Sequence, residues 1–384
     1  MGAPELLPNL RLPWWGGLVG ITRSGRPPGW VGPIGLAFAD DHACFAQFAR
    51  DLAGIRPRAL ARIPFEGDVQ ALFADPKRLA DLVRAALATG RFRGRRVVSC
   101  LPAGRSHVMV VNYKAESEAQ VTASVVAVAR ERLKGELEQS VLDYVPVRFS
   151  DDAKGSGSAI VAVASRAEVF AHCDALARAG LIPEAVDLAP AALCRLVRAS
   201  SAPGSDSALV VQFQNDASGL MVMHAGRLIV QRDIEIGVGR ILERLTSALE
   251  IDAPSARALL GGQGWSGTSA LDGWADGFEA ARVIDDVLRP VLSELVTEID
   301  RTLVYLASKT RGGTVTTIQL NGGAAAYPCV LEYVRRHIGI PVQVLDPWRM
   351  LGAGAANAPA AWRDGCVEFA LASGLALRGA VDLG

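Results

Sequence analysis

Apolar positions along this chain switch between a two-residue and a 3.6-residue period, and each switch marks an element. Residues 34–48 read as strand, turn and strand, with Asp40 and Asp41 supplying the turn. Over 75–89 the period lengthens. Leu79, Leu82, Val83, Ala86 and Leu87 make one stripe, Asp75-Pro76 opens the helix and Gly90 closes it. Apolar strands come next at 97–101 and 108–113, then helical patterns over 117–132 and 136–142, then a strand at 143–147. Residues 159–164 form a strand, and Ser165 with Glu168 predicts a capping box for a helix that ends at Gly180. A further strand and helix occupy 184–197.

Residues 199–207 are rich in Ser, Pro and Gly and predict the boundary between two lobes. Beyond it come a strand at 208–213, a hairpin turning at 224–227, and helices over 241–249, 254–260 and 278–309. Pro290 predicts a break in the last helix, and 261–277 a glycine-rich loop. The stripe Val287, Leu288, Leu292, Leu295, Ile299, Leu303 and Leu306 reads as core. Residues 314–320 predict a buried strand running into Gly322-Gly323, with a helix after Pro328. A flat ligand can lie against backbone at such a strand–Gly-Gly–helix junction, because neither glycine carries a Cβ. An apolar helix is expected at 367–377.

Composition narrows the function classes. The chain has 384 residues, half of them hydrophobic, which suits two lobes around a large core. Forty basic and forty acidic residues leave no net charge, so no basic stripe argues for nucleic acid. Six cysteines are scattered without a CxxC pair and read as reduced, mostly buried small hydrophobes, not as a zinc site. With no apolar run of about eighteen residues and no secretory signal, the cytoplasm is the expected location. Residues 1–33, rich in Pro, Gly, Trp and Arg, read as a flexible leader.

Four stretches carry a family signal: Gly180 to Asp187 (GLIPEAVD), Gln231 to Gly237 after Gly226-Arg227, Asn321-Gly322-Gly323 with Asp346-Pro347 beyond it, and Gly374 to Arg378. Their order over about residues 30–379 resembles the PilM family, actin-like proteins of type IV or mannose-sensitive-type pilus assembly. The resemblance implies an α/β, FtsA-like fold of two lobes on ribonuclease-H-like sheets. The first lobe would span 34–199 with a small inserted subdomain at about 102–149. The second would span 208–384, with a helical subdomain at about 240–310 and a C-terminal helix packing back on the first lobe.

The resemblance also implies ATP or ADP at Asn321, Gly322, Gly323 and Gly237, with amide donors free at the helix start after Gly237 and Gly239. The phosphate loops depart from the family pattern. The acid and glycine of the first fall on Ala37 and Ala39, and those of the second on Gln212 and Gln214. Gln cannot orient magnesium as a carboxylate does. Asp40 and Asp41 would repel a polyphosphate, with nothing basic nearby to offset them. His42 reads as a turn residue without a partner, and Asp187 as the cap of the next helix. No catalytic residue and no metal ligand is expected. The function the resemblance implies is a scaffold that binds the tail of a PilN-like protein of the pilus inner-membrane platform. The alternative is an ATP-binding, weakly hydrolysing ATPase of the same machinery.

Overall fold

The computed structural model describes residues 29–52, 54–89, 91–102, 104–115, 117–133, 139–147, 155–200, 207–224, 227–261, 277–347 and 366–380. Strands β1 (Val31–Phe38), β2 (His42–Asp51) and β3 (Gly54–Pro64) form an antiparallel meander. Strands β4 (Arg96–Cys100) and β8 (Ile182–Asp187) then add in parallel, giving the order β3-β2-β1-β4-β8. The second lobe repeats the plan. Strands β9 (Ala208–Phe213), β10 (Ser218–His224) and β11 (Arg227–Ile234) are its meander, and β12 (Thr317–Gly322) and β13 (Val342–Val344) extend it as β11-β10-β9-β12-β13. Their inner strands read as unbroken apolar runs because both faces are covered.

Between the two sheets lie the helix Ala189–Ser200 and the short helix Ala370–Ala376. Two glycines permit this close packing. A Cβ on Gly35 of β1 would lie 1.9 Å from Ala372 O, and one on Gly374 would lie 2.1 Å from Ala192 O. A buried charge cluster fixes the same layer. Asp187 Oδ2 accepts from Arg195 Nη2 and Arg378 Nη1, each at 2.9 Å, and Arg195 Nη1 donates to Gly374 O at 2.8 Å. Asp187 is therefore an ion-pair centre rather than a helix cap; the expectation drawn from Pro190 missed the two arginines folded onto it.

The remaining sheet has three strands, β5 (Ser106–Lys114), β6 (Ser140–Val147) and β7 (Ser156–Ser165), in the order β5-β7-β6. One face is covered by the helix Glu118–Arg132 through Val125 and Ala129 against Val111, Tyr113, Val161 and Val163. Its other face joins the main core through Ile160, Ala162 and Ala164. An inserted unit ending at residue 149 would leave out β7, the central strand of this sheet. The helical pattern expected over 136–142 gives way to strand from Ser140, because pairing with β7 buries Val141 and Val145 against the core.

Other differences have local causes. Residues 1–28 of the expected leader lie outside the described residues, while residues 31–33 belong to β1, where Gly32 and Pro33 hid the alternation at a bulge. Strand β3 and the helix Val69–Ala74 were not foreseen. Pro290 sits inside one continuous helix, Gly277–Lys309, held on both sides of the proline by buried Leu288, Val291, Leu292 and Leu295. Glu168 pairs with Arg105 and makes no capping box with Ser165. The loop at 262–276 and the boundary at 201–206 lie outside the described residues.

Candidate functional site

Two hairpin turns, one glycine turn and the C-terminal 3-10 turn Cys366–Phe369 converge between the lobes. The first hairpin closes where Ala39 N donates to His42 O at 2.9 Å, leaving Asp40 and Asp41 at its tip. Burial pushes the Asp40 carboxyl above its ordinary range, helped by the charges of Asp41 and Asp216, with Arg257 and His42 acting against the rise. Asp41 goes the other way. Burial raises it, but the bond to His42 and the charges of His42 and Arg62 outweigh burial and leave it lowered.

His42 is no idle turn residue. It begins β2, is 7 % exposed, and its Nδ1 lies 2.5 Å from Asp41 Oδ1. Its Nε2 lies 3.5 Å from Glu368 Oε2, whose other partner is Arg62 Nε at 2.6 Å. Both halves of the expectation are thus corrected: His42 has carboxylate partners, and Arg62 and Arg257 bring basic charge to the loop. Tertiary contact supplies Glu368 and Arg257, which stand far along the chain from Asp40.

The second hairpin closes through Gln214 N to Ala217 O at 3.0 Å, with Asn215 and Asp216 at the tip. It is folded onto the start of the helix Val238–Leu249. Val238 N donates to Gln214 O and Gly239 N to Asn215 O, each at 2.8 Å. Gly237 makes this approach feasible, since a Cβ there would lie 2.1 Å from Asn215 O. The amides expected to stand free after Gly237 are therefore occupied by the protein's own loop. The charge of Asp216 helps to raise Asp40, and each hairpin carries an acid displaced toward its tip from the family's position.

Asn321 and Gly322 end β12 beside this loop, and Gly323 begins the 3-10 turn that follows. In the parallel register Asn321 pairs with Gln212 and Gly322 with Phe213. Gly322 has φ +88°, and its Cβ would lie 2.1 Å from Phe213 O; a Cβ on Gly323 would meet Val238 Cγ2 at 3.3 Å. Gly323 thus lies against Val238, the residue after Gly237. Gly237 and Gly322 are used for packing backbone on backbone. Asn321 is buried and its Oδ1 lacks a hydrogen-bond partner. The register carries a polar row across the sheet, Asp233, Gly219, Gln212 and Asn321, on the face away from Arg232 and Glu298, which are paired. Burial raises the Asp233 carboxyl, with the bond from Gln231 opposing it. The alternation of Gln231 and Asp233 was the signal that could have marked this row in the sequence.

No helix among the described residues is long and apolar enough to cross a membrane. Two solved structures share the architecture. The chain superposes on a protein described as the PilM–PilN type IV pilus biogenesis complex with a TM-score of 0.71 at 21% identity, covering 91% of this chain and 98% of that one. It matches the ethanolamine utilization protein EutJ from Carboxydothermus hydrogenoformans with a TM-score of 0.50 at 15% identity, over 93% and 92% of the two chains. Both likenesses concern the fold, which is actin-like. A family model described as type IV pilus assembly protein PilM matches residues 47–380. On that match, which takes in the second five-stranded sheet, the three-stranded one and the first sheet from the end of β2 onward, the chain belongs to the PilM family of type IV pilus assembly proteins.

Proposed function

We propose that this protein is a scaffold of type IV pilus assembly that holds the cytoplasmic tail of a PilN-like inner-membrane protein and does not depend on nucleotide turnover. It would work in the cytoplasm, at the inner membrane through that partner. The observation that carries the reading is the second hairpin lying on the helix start. Val238 and Gly239 spend their amides on Gln214 and Asn215. A triphosphate needs donors at that place, and the hairpin tips carry Asp40 and Asp216, which feel one another's charge. These residues do not fit a polyphosphate. The three-stranded sheet with its helix, by contrast, is a complete unit with a packed core. A neighbouring fold solved as a PilM–PilN complex supports assigning a PilN-like segment as ligand.

The test is a calorimetric titration of the full chain with a peptide of the cytoplasmic tail encoded beside it, with and without ATP and Mg²⁺. An extended segment held by a few buried anchors is expected to bind near micromolar, about 8 kcal/mol, unchanged by ATP. Absence of peptide binding overturns the scaffold reading. Peptide binding that requires ATP would replace it with the ATP-binding alternative.

A further inference from the structure

Beside the loops lies a cluster with a different chemistry. His42 and Cys44 are two apart on β2 and so share one of its faces. The 3-10 turn Cys366–Phe369 brings Glu368 over that face. One ring nitrogen of His42, the Cys44 thiol sulfur and one Glu368 carboxylate oxygen all lie within 4.8 Å of one another. His42 and Cys44 are buried, at 7 % and 2 % exposure.

We propose that His42, Cys44 and Glu368 form a zinc site, with Asp41 as the residue that orients His42. Three observations support it. First, His42 Nδ1 lies 2.5 Å from Asp41 Oδ1, the carboxylate–histidine arrangement that fixes the tautomer of zinc-bound imidazoles. Arg62 Nη2 also lies 3.2 Å from Nδ1, farther than the carboxylate. Second, Nε2 and Glu368 Oε2 lie 3.5 Å apart, on the side of the ring away from Asp41. The separation is close to the edge of a tetrahedron built on Zn–N and Zn–O bonds of about 2.0 Å, which is roughly 3.3 Å. Third, the charges balance. Burial favours the neutral Cys44 thiol, so its proton would be released as zinc binds; the thiolate and carboxylate would then match Zn²⁺, and Arg62, bonded to Glu368 at 2.6 Å, matches Asp41.

Histidine, thiolate and carboxylate are a ligand set that suits zinc, and three protein ligands leave a fourth position for water. The consequence for the molecule is mechanical. The ion would fasten the C-terminal turn to β2, beside the tip that carries Asp40 and Asp41. The proposal does not depend on what the protein binds elsewhere.

The test uses the full chain, stripped of metal and kept reduced, titrated with Co²⁺ and then displaced with Zn²⁺. The expected result is about one equivalent of Co²⁺, a near-ultraviolet thiolate-to-cobalt absorption that Zn²⁺ abolishes, and a thermal midpoint raised by Zn²⁺. Cys44→Ser should lose the absorption, while Cys329→Ser, at a cysteine far from the cluster in sequence, should retain it. Asp41→Asn should weaken the affinity about tenfold to a hundredfold. If Cys44→Ser does not fold, Glu368→Gln, at a partly exposed position, carries the same expectation of lost affinity. The proposal is overturned if the unaltered chain takes up no stoichiometric Co²⁺, or if its thiolate absorption survives both Cys44→Ser and Glu368→Gln.

Discussion

Gly322 sits at φ +88° and ψ −176°, a backbone region closed to residues with a Cβ, and Phe213 O stands where that Cβ would go. Gly322→Ala is expected to destabilise the fold by about 1–3 kcal/mol from backbone strain alone, with the clash adding to it. Gly323→Ala meets only a Val238 methyl at 3.3 Å and should cost under about 1 kcal/mol. Urea unfolding of the two variants checks the order, and equal midpoints would contradict it. His172 offers a pH test. It is buried, lies 3.2 Å from Ser99 Oγ and stacks on Phe73, and burial lowers it to about 4 from an ordinary 6.5. Between those values the unfolded chain binds a proton that the folded chain refuses, so stability falls as pH drops from 6.5 toward 4. The loss is about 3 kcal/mol, and His172→Gln, which keeps a polar atom for Ser99, should remove most of it from the denaturation profile. At this scale the Gly-Gly turn was legible, since only glycine enters such backbone. What each glycine packs against was not, because Phe213 and Asn215 lie on other strands and turns.

Among the elements, the short helix Ala370–Ala376 depends most on distant residues. Its apolar pattern predicts a helix, but the helix Ala189–Ser200 and the Asp187 cluster decide where it goes. Burial alone would raise the Asp187 carboxyl; Arg195 and then Arg378 outweigh it, and the carboxyl ends below its ordinary value. A lowered folded value gives stability that is complete above the unfolded carboxylate range and is lost as pH falls through the folded value. Asp187→Asn leaves two buried or half-buried guanidiniums without their charge partner and should cost about 3–5 kcal/mol near neutral pH. The acid limb below about pH 4 should flatten in the variant, as read by circular dichroism across pH. An unchanged acid limb would remove Asp187 as its source. Elements with a clear period and cap were legible, as at Pro76–Ala88, where Asp75 accepts from Lys77 N and Arg78 N. The strand from Ser140 was not, because a neighbouring strand and not local propensity sets its conformation.

Across the whole molecule, two sheets of one order face a shared helical layer, and both hairpins reach the space between the lobes. With Val238 and Gly239 already bonded to the second hairpin, phosphate release at saturating ATP and Mg²⁺ is expected to stay at the level of a Gly323→Ala control. Turnover that the control reduces would refute this. The sequence by itself determined the parts that local chemistry governs: the apolar runs of the inner strands, the capped helices, the Gly-Gly turn and the ordered motifs that mark the family. Those features depend on the period of burial and on backbone freedom, and both are written in neighbouring residues. The tertiary structure alone decided that β7 is the centre of the small sheet, that Asp187 answers two arginines, and that His42 lies between Asp41 and Glu368. It alone brought the charge of Asp216 to bear on Asp40. Each is a meeting of groups distant along the chain, and the energy of a buried charge or a lone pair depends on what stands a few ångströms away, which no local pattern encodes.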